Sequence, residues 1–167
     1  QFFTRALTKI SWMERPDHEP PFLRAIDQRA FETNQWVGRA GIALVTNELG
    51  EVLLHLRDDK PEIPHPNQWG FLAGGCEDGE DPTQAVLREL FEEAELIVET
   101  AEPLCRIVDI EGSQDLATVF RVVTTAQLAD MRLHEGQELR FFSQEQIREL
   151  PLDPLIREIL NQFFKPN

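Results

Sequence analysis

Stretches of apolar and polar residues along the chain predict several β-strands around one long acidic helix. Residues 38–47 form an almost continuous apolar run, typical of a buried strand, and residues 47–50 carry a turn signal. Residues 51–58 are therefore predicted to return as the second strand of a hairpin. Further strands are predicted at residues 69–73, 97–100, 103–112, 115–124 and at the end of 134–143.

Helices are predicted from capping residues and from apolar residues at helical spacing. The longest begins at Asp81, an acidic N-cap that is followed by Pro82 and, three positions after the cap, by a glutamine. A Ser cap predicts a short helix over 143–150, and an Asp cap with an apolar stripe predicts one over 153–164. Residues 126–131 are weakly helical. The pattern predicts an α/β (α+β) fold, in which helices cover both faces of a mixed sheet.

Prolines mark two segments outside this regular pattern. Residues 1–36 form an N-terminal extension broken by prolines, in which residues 20–32 are predicted as a short helix that covers the core or forms a homodimer contact. Residues 59–68 contain three prolines and are predicted as an irregular surface loop. The folded domain is therefore predicted to span residues 37–167.

Composition and charge exclude several functional classes. The 167 residues fit one domain, and a net charge of −14 argues against binding nucleic acid polymers. A phosphate-bearing substrate would need a metal ion to screen it from this acidic protein. No apolar run reaches the roughly 18 residues of a membrane span. The N-terminus lacks the apolar core of a secretory signal. Cys76 and Cys105 form neither a disulfide framework nor a zinc cluster, so the cytoplasm is the expected compartment.

The candidate metal-binding and catalytic residues are concentrated in the segment 74–96. Its glycines permit a tight loop, and the following helix places Glu89, Glu92 and Glu93 on one face, because they lie three and four positions apart. Like charges at this spacing cost about 0.2–0.5 kcal/mol per pair. A hard divalent cation would offset that cost, and the alternative is a merely solvated acidic face.

This segment resembles the signature of the Nudix hydrolases. That signature is Gly, five residues, Glu, seven residues, Arg-Glu-apolar-any-Glu-Glu-any-Gly-apolar. It matches here from Gly74 through Glu80 and Arg88 to Leu96 at eight of the nine specified positions. The exception is Glu95, which stands where the signature has a Gly. Such a Gly usually ends a helix in the left-handed conformation, in which Glu would cost about 1 kcal/mol. The helix is expected either to keep that geometry at this cost, or to avoid it by running on or ending differently.

The resemblance, which covers residues 37–160, implies a fold and a chemistry. The fold is a Nudix-type α/β/α sandwich with a mixed central sheet. The residues implied to bind the metal are Gly74 (through its carbonyl), Glu89, Glu92 and Glu93. The residues implied to act in catalysis are Arg88, Glu92, Glu93 and Glu135. Mg²⁺ is the implied cofactor, with Mn²⁺ as a substitute, and an activated water attacks phosphorus in a nucleoside diphosphate linked to a group X.

Two of these roles leave alternatives open. Arg88 is expected to pair with Glu80 of the loop, rather than only with a carboxylate one turn along the helix, where an exposed pair contributes little. The additional base is expected after the sheet, at Glu135, with Glu138 as the alternative. His134 beside it is interpreted as an exposed loop residue.

Three further residues are predicted to contact substrate. Arg57 closes a strand before the Pro-rich loop and, by resemblance, is expected to meet a phosphate. Trp69 and Phe71 flank the approach to the glycines, where they either stack on a nucleobase or lie in the core, as aromatic residues of strands commonly do. No role is predicted for His55 or His65.

The motif defines the bond that is cleaved but leaves the substrate open. The chain has no Tyr, which argues against dinucleoside polyphosphate hydrolases, and no Pro near residues 110–112, which argues against ADP-ribose hydrolases. The signature of NADH-type hydrolases is also absent. A nucleoside triphosphate or modified nucleotide is therefore preferred, with a nucleotide sugar next. The competing hypotheses are a non-catalytic nucleotide-binding Nudix module and an isomerase of prenyl diphosphates.

Overall fold

The structure, a computed structural model, describes residues 36–108 and 113–164. The predicted helix over 20–32 lies outside the described residues. The strands are β1 (Arg39–Thr46), β2 (Val52–Leu56), β3 (Trp69–Gly70), β4 (Leu72–Gly75), β5 (Glu102–Val108), β6 (Leu116–Val123) and β7 (Glu138–Phe142). Within the described residues, the helices are α1 (Pro82–Ala94), α2 (Gln144–Arg148) and α3 (Pro154–Phe163), and Leu128–Asp130 forms a 3-10 turn.

The strands form one seven-stranded mixed sheet with β1 at its centre. Its main path runs β3-β2-β1-β6-β5, while β4 pairs with β1 and β7 pairs with β2. Strands β1 and β6 are parallel over their whole length, and the other named pairings are antiparallel. Because β1 is covered on both faces, its sequence reads as a continuous apolar run rather than an alternating one.

Hydrophobic residues fill one core on each face of the sheet. The core under α1 contains Ala43, Val45, Leu53, Leu72, Val86, Leu90, Ala94, Leu96, Phe120 and Val122. The core on the opposite face, which packs against α2 and α3, includes Ile42, Leu44, Val52, Leu54, Trp69, Phe71, Val119, Phe142, Ile147, Ile159 and Leu160. Successive residues of β1 alternate between the two cores, which confirms the predicted α/β/α sandwich.

The predicted hairpin exists, but its strands separate soon after the turn. The Asn47 side-chain oxygen accepts hydrogen bonds from the backbone N–H groups of Leu49 and Glu51, and this closes the turn. Beyond the pair Thr46–Val52, however, β1 takes β4 as its antiparallel neighbour and β2 takes β7. These long-range pairings are invisible in a local apolar pattern.

Other predictions require correction. The strand predicted at 97–100 is wrong, because this segment is an irregular connection with Ile97 78% exposed and no partner strand. The strand predicted at 69–73 is two short strands, β3 and β4, and the weak helix at 126–131 is only the 3-10 turn. The helices predicted at 143–150 and 153–164 are present as α2 and α3, with Ser143 and Asp153 as their N-caps. Within the described part of the chain, no helix is long and apolar enough to cross a membrane.

Candidate active site

A reciprocal cap starts α1 next to the glycine loop. The Asp81 carboxylate accepts a hydrogen bond from the backbone N–H of Gln84, and the Gln84 side chain accepts one from the Asp81 N–H, each at 2.9 Å. Pro82 occupies the first turn, where its missing N–H has no cost. This cap fixes where the helix begins, and thereby the direction of the carboxylates about two and three turns later.

Arg88 ties the loop to the helix and also contacts two carboxylates. Its Nε and Nη2 donate to the two oxygens of Glu80, both at 2.9 Å, so the expected loop pairing is present and bidentate. Nη2 also donates to the carbonyl of Gly75. Nη1 donates to Glu89 at 2.7 Å and to Glu92 at 3.0 Å. Hydrogen bonding from Arg88 lowers the pKa of Glu80, so Glu80 is held as a carboxylate.

Glu89 lies directly against the glycine of the loop. A Cβ built on Gly74 would stand 2.0 Å from Oε1 of Glu89, closer than any side chain can approach. Only Gly at this position lets the loop backbone come beside the Glu89 carboxylate. Burial raises the pKa of Glu89, with Glu92 and Glu135 contributing through charge repulsion and Arg88 opposing the rise.

Glu93 is the most perturbed carboxylate of the site. It accepts a hydrogen bond from the backbone N–H of Ala73, whereas its Oε2 is buried without a hydrogen-bond partner. Burial raises the pKa of Glu93 to about 8, and the neighbouring charges of Glu89 and Glu135 add to the rise. A buried carboxylate oxygen without a donor is costly in itself, and it is the kind of group that a cation stabilises.

Glu135, unlike Glu138, shares this environment. Glu135 is exposed on the loop before β7, yet its charge acts on both Glu89 and Glu93. Glu138 lies in β7 and is paired with Arg140. The N–H of His134 donates to the carbonyl of Glu93 at 2.8 Å, so the fold brings the neighbouring Glu135, 42 positions after Glu93 in the chain, to the last turn of α1.

These residues offer the hard oxygen donors that Mg²⁺ and Mn²⁺ prefer. Over residues 36–108 and 113–164, no three His, Cys, Asp or Glu side chains stand in the arrangement of a formed metal cluster. Nη1 of Arg88 donates hydrogen bonds to both Glu89 and Glu92. The donor set fits a divalent cation, and the partnerless Oε2 of Glu93 is the observation that supports the fit.

A cleft of about 250 Å³ opens between the sheet and the start of α3. Its lining includes Gly74, which also contacts Glu89 of the acidic face. The three predicted substrate residues also line the cleft: Arg57, Trp69 and Phe71.

The three residues differ in what they offer a ligand. Trp69 and Phe71 are only 7% and 4% exposed, and Trp69 packs edge-on against Phe142, so both rings belong mainly to the core. The Arg57 side chain donates from Nε to the carbonyl of Pro64. Burial raises the pKa of Glu93, and the charge of Arg57 opposes part of that rise.

Polar residues that the sequence did not indicate complete the cleft. Gln68, Asp115 and Asp153 line it, and Asp153 pairs with His65 at 2.6 Å. These residues come from separate loops with no motif spacing, so no local signal could assign them. His55, which also received no role, is buried, and burial lowers its pKa to about 4, with Arg57 contributing.

A sequence model of the NUDIX domain matches residues 37–163. The chain belongs to the Nudix family. Solved structures of similar fold include the MutT Nudix hydrolase of Burkholderia pseudomallei, at 24% identity and TM-score 0.62 over 75% of this chain and 96% of that one. A second is the Nudix domain of Shewanella oneidensis NrtR complexed with ADP ribose, at 18% identity and TM-score 0.63 over 84% and 92%. A third is the Caenorhabditis elegans Ap4A hydrolase in a binary complex, at 22% identity and TM-score 0.59 over 76% and 95%.

The Nudix helix ends with the family's geometry despite its different residue. Helix α1 stops at Ala94, and Glu95 is the C-cap in the left-handed conformation, at φ 51° and ψ 26°. Its N–H donates to the carbonyl of Phe91, and the N–H of Leu96 donates to that of Leu90. Of the two outcomes expected for Glu95, the chain therefore adopts the strained one. As a Nudix pyrophosphohydrolase, the protein acts on nucleoside diphosphate-linked compounds.

Proposed function

We propose that this Nudix hydrolase uses Mg²⁺, or Mn²⁺ in its place, to hydrolyse the diphosphate bond of a nucleoside triphosphate or a modified nucleotide. The observation that carries the proposal is Glu93. One oxygen of its carboxylate, Oε2, is buried without a hydrogen-bond partner, and the charges of two further glutamates, Glu89 and Glu135, raise its pKa. An unfavourable arrangement of charges such as this one is more common at a functional site than at a site with only a structural role.

The proposed metal ligands are the carbonyl of Gly74 and the carboxylates of Glu89, Glu92 and Glu93. A bound divalent cation would screen the diphosphate and lower the pKa of a bound water. Side chains of the protein itself position the loop and the helix. Arg88 holds the loop against the helix through Glu80 and Gly75, which keeps Gly74 beside Glu89.

Glu135 is the proposed general base. It stands at the solvent side of the acidic face, where it takes the proton of the water that attacks phosphorus. The new bond joins that oxygen to phosphorus, and the bond to the bridging oxygen of the diphosphate breaks. A nucleoside monophosphate and P-X leave. Arg57 is the proposed contact for a phosphate oxygen, because it lines the cleft and its charge acts on Glu93.

The substrate proposal draws on the cleft next to Gly74. Its volume of about 250 Å³ approaches that of small-molecule sites, and Arg57 lies on its wall. Structural neighbours in complex with ADP ribose, or described as an Ap4A hydrolase, are nucleotide enzymes or domains of the same fold. The chain lacks the Pro that indicates ADP-ribose hydrolases and the Tyr that indicates dinucleoside polyphosphate hydrolases. Nucleoside triphosphates are therefore the preferred substrate class, followed by nucleotide sugars. The cytoplasm is the proposed compartment, since Cys76 and Cys105 are both free thiols. A homodimer stays a prediction.

A screen of nucleoside triphosphates, modified nucleotides and nucleotide sugars with Mg²⁺ or Mn²⁺ tests the proposal, with phosphate release read after a coupling enzyme. Glu92→Gln and Glu93→Gln are expected to fold and to lower turnover by orders of magnitude, whereas Glu99→Gln, on the exposed connection after α1, serves as the control. Unchanged turnover in both active-site variants would refute the ligand assignment. Thermal stabilisation by nucleotides without any turnover would favour the non-catalytic module instead.

A further inference from the structure

The loop at residues 131–137 is tied to the C-terminal end of α1 by two backbone hydrogen bonds. The N–H of Arg132 donates to the carbonyl of Ala94 at 3.0 Å, and the N–H of His134 donates to that of Glu93 at 2.8 Å. These carbonyls belong to the last turn of the helix, where the carbonyl groups have no hydrogen-bond donor within the helix itself. The loop therefore supplies part of the C-terminal cap of α1.

A third contact is made by side chains. Oε1 of Glu95 lies 2.6 Å from Nε2 of His134. Because an ionised carboxylate only accepts, Nε2 carries the proton and donates it. Glu95 occupies the left-handed conformation, where most residues are strained and where the Nudix signature has Gly. A glycine could make the same backbone turn at lower cost, but it has no side chain that could reach His134.

The next residues anchor the other end of the loop. Gly136 has φ 98°, and a Cβ built on it would lie 2.7 Å from the carbonyl oxygen of Leu56. The N–H of Gln137 donates to that same carbonyl at 2.8 Å, and its side-chain amide donates to the carbonyl of Arg57 at 2.7 Å. Glu135 is therefore the single residue between a fixed His134 and a fixed Gly136.

We propose that Glu95 is a positioning residue of this chain: its bond to His134 holds the loop that aims the Glu135 carboxylate at the acidic face of α1. This inference rests on the proposed function, because Glu135 is there the general base. Glu95 thus has a strained backbone conformation, but its side chain makes a contact that the glycine of the Nudix signature cannot make. A displacement of about 1 Å in a reacting group is sufficient to lower a rate about a hundredfold.

The test compares Glu95→Gly with Glu95→Gln. The Gly variant removes the contact and the strain together, so its Tm is expected to be unchanged or up to about 4 °C higher. Its kcat is expected to fall by about tenfold or more, with little change in KM, on the nucleotide with the highest turnover in the screen above. The Gln variant keeps an acceptor oxygen for His134, so its kcat is expected to stay within about twofold of wild type.

A readout that needs neither metal nor substrate accompanies the kinetics. In the metal-free protein, the amide of His134 is expected to exchange with deuterium about tenfold faster in Glu95→Gly than in wild type, because its bond to Glu93 opens more often. Gln114→Gly is the matched control, since Gln114 is another exposed residue in the left-handed conformation, with φ 60°. It should raise Tm similarly without altering exchange at His134.

A double-mutant cycle separates positioning from general support of the fold. His134→Ala should lower kcat as much as Glu95→Gly, and the double variant should lose no more than either single one. Additive losses would overturn the proposal, as would a Gly variant with wild-type kcat or with a lowered Tm. Failure of this inference alone is recognisable, because Glu135→Gln, Glu92→Gln and Glu93→Gln would then still lower turnover. If those variants also keep wild-type turnover, the proposed function itself is refuted.

Discussion

The buried carboxylate of Glu93 should make the metal-free protein less stable as pH rises. Its pKa is about 8 in the folded chain, against an ordinary value of 4.5, and burial is the main cause. Below pH 4.5 the carboxyl is protonated in both the folded and the unfolded states and costs nothing. As pH rises from 4.5 to about 8, the unfolded state ionises freely while the folded state resists, so the free energy of unfolding falls across this window. Above about pH 8 the loss is complete.

The replacement Glu93→Gln removes this pH dependence while keeping the acceptor for the N–H of Ala73. The difference between the two pKa values corresponds to roughly 5 kcal/mol at full ionisation, since one pKa unit is worth about 1.36 kcal/mol. Relaxation of the structure around the ionised carboxylate reduces this free-energy cost. In the variant, the side-chain amide of Gln has an N–H₂ group without a hydrogen-bond partner, which costs about 1–3 kcal/mol at every pH. Between pH 5 and pH 8 the Gln variant should therefore gain about 2–3 kcal/mol over wild type.

The assay is thermal or urea unfolding of both proteins in a metal chelator at pH 5, 6, 7 and 8. For a chain of this size, the relative gain corresponds to a Tm difference that widens by roughly 5–10 °C from pH 5 to pH 8. Adding Mg²⁺ at pH 8 should stabilise wild type more than the Gln variant, because binding to the folded state alone raises Tm. A Tm difference that stays constant from pH 5 to pH 8 would show that Glu93 ionises without penalty and would refute this reasoning.

Three further predictions follow from single contacts. Gly74→Ala should lower turnover by about a hundredfold or more, because the new Cβ would collide with the Glu89 carboxylate, and steady-state kinetics beside a circular dichroism spectrum checks this. Arg88→Lys keeps the charge but cannot form the bidentate pair with Glu80, so it should lose about 1–2 kcal/mol in urea unfolding, and a wild-type value would contradict the pairing. Asp81→Ala should cost about 1 kcal/mol through loss of the helix cap, whereas Asp81→Asn, which retains an acceptor, should cost only a few tenths.

Local chemistry determined much of the helical structure and the outline of the site. Asp81 and Pro82 marked the start of α1, and Ser143 and Asp153 marked those of α2 and α3, because a cap acts within one turn of its own residue. The pairing of Arg88 with Glu80 was likewise predictable from the signature, since only seven residues of loop and helix separate them.

Strand partners could not be predicted in this way. Residues 97–100 are predicted as a strand, yet they have no neighbour in the sheet, and the apolar run of β1 did not indicate that β4 and β6 flank it. A strand forms only where a second strand satisfies its backbone groups, and that strand can come from anywhere in the chain.

By itself, the sequence determined the fold class, the family signature and the set of candidate carboxylates, because each depends on residue type and on spacing within a few turns of chain. Only the tertiary structure decided that Glu93 is buried with a partnerless oxygen, that Trp69 and Phe71 lie in the core, and that Glu95 reaches His134. Burial, desolvation and contacts between distant segments are properties of the packed chain, since they depend on which atoms exclude water from a group and not on that group's neighbours in sequence.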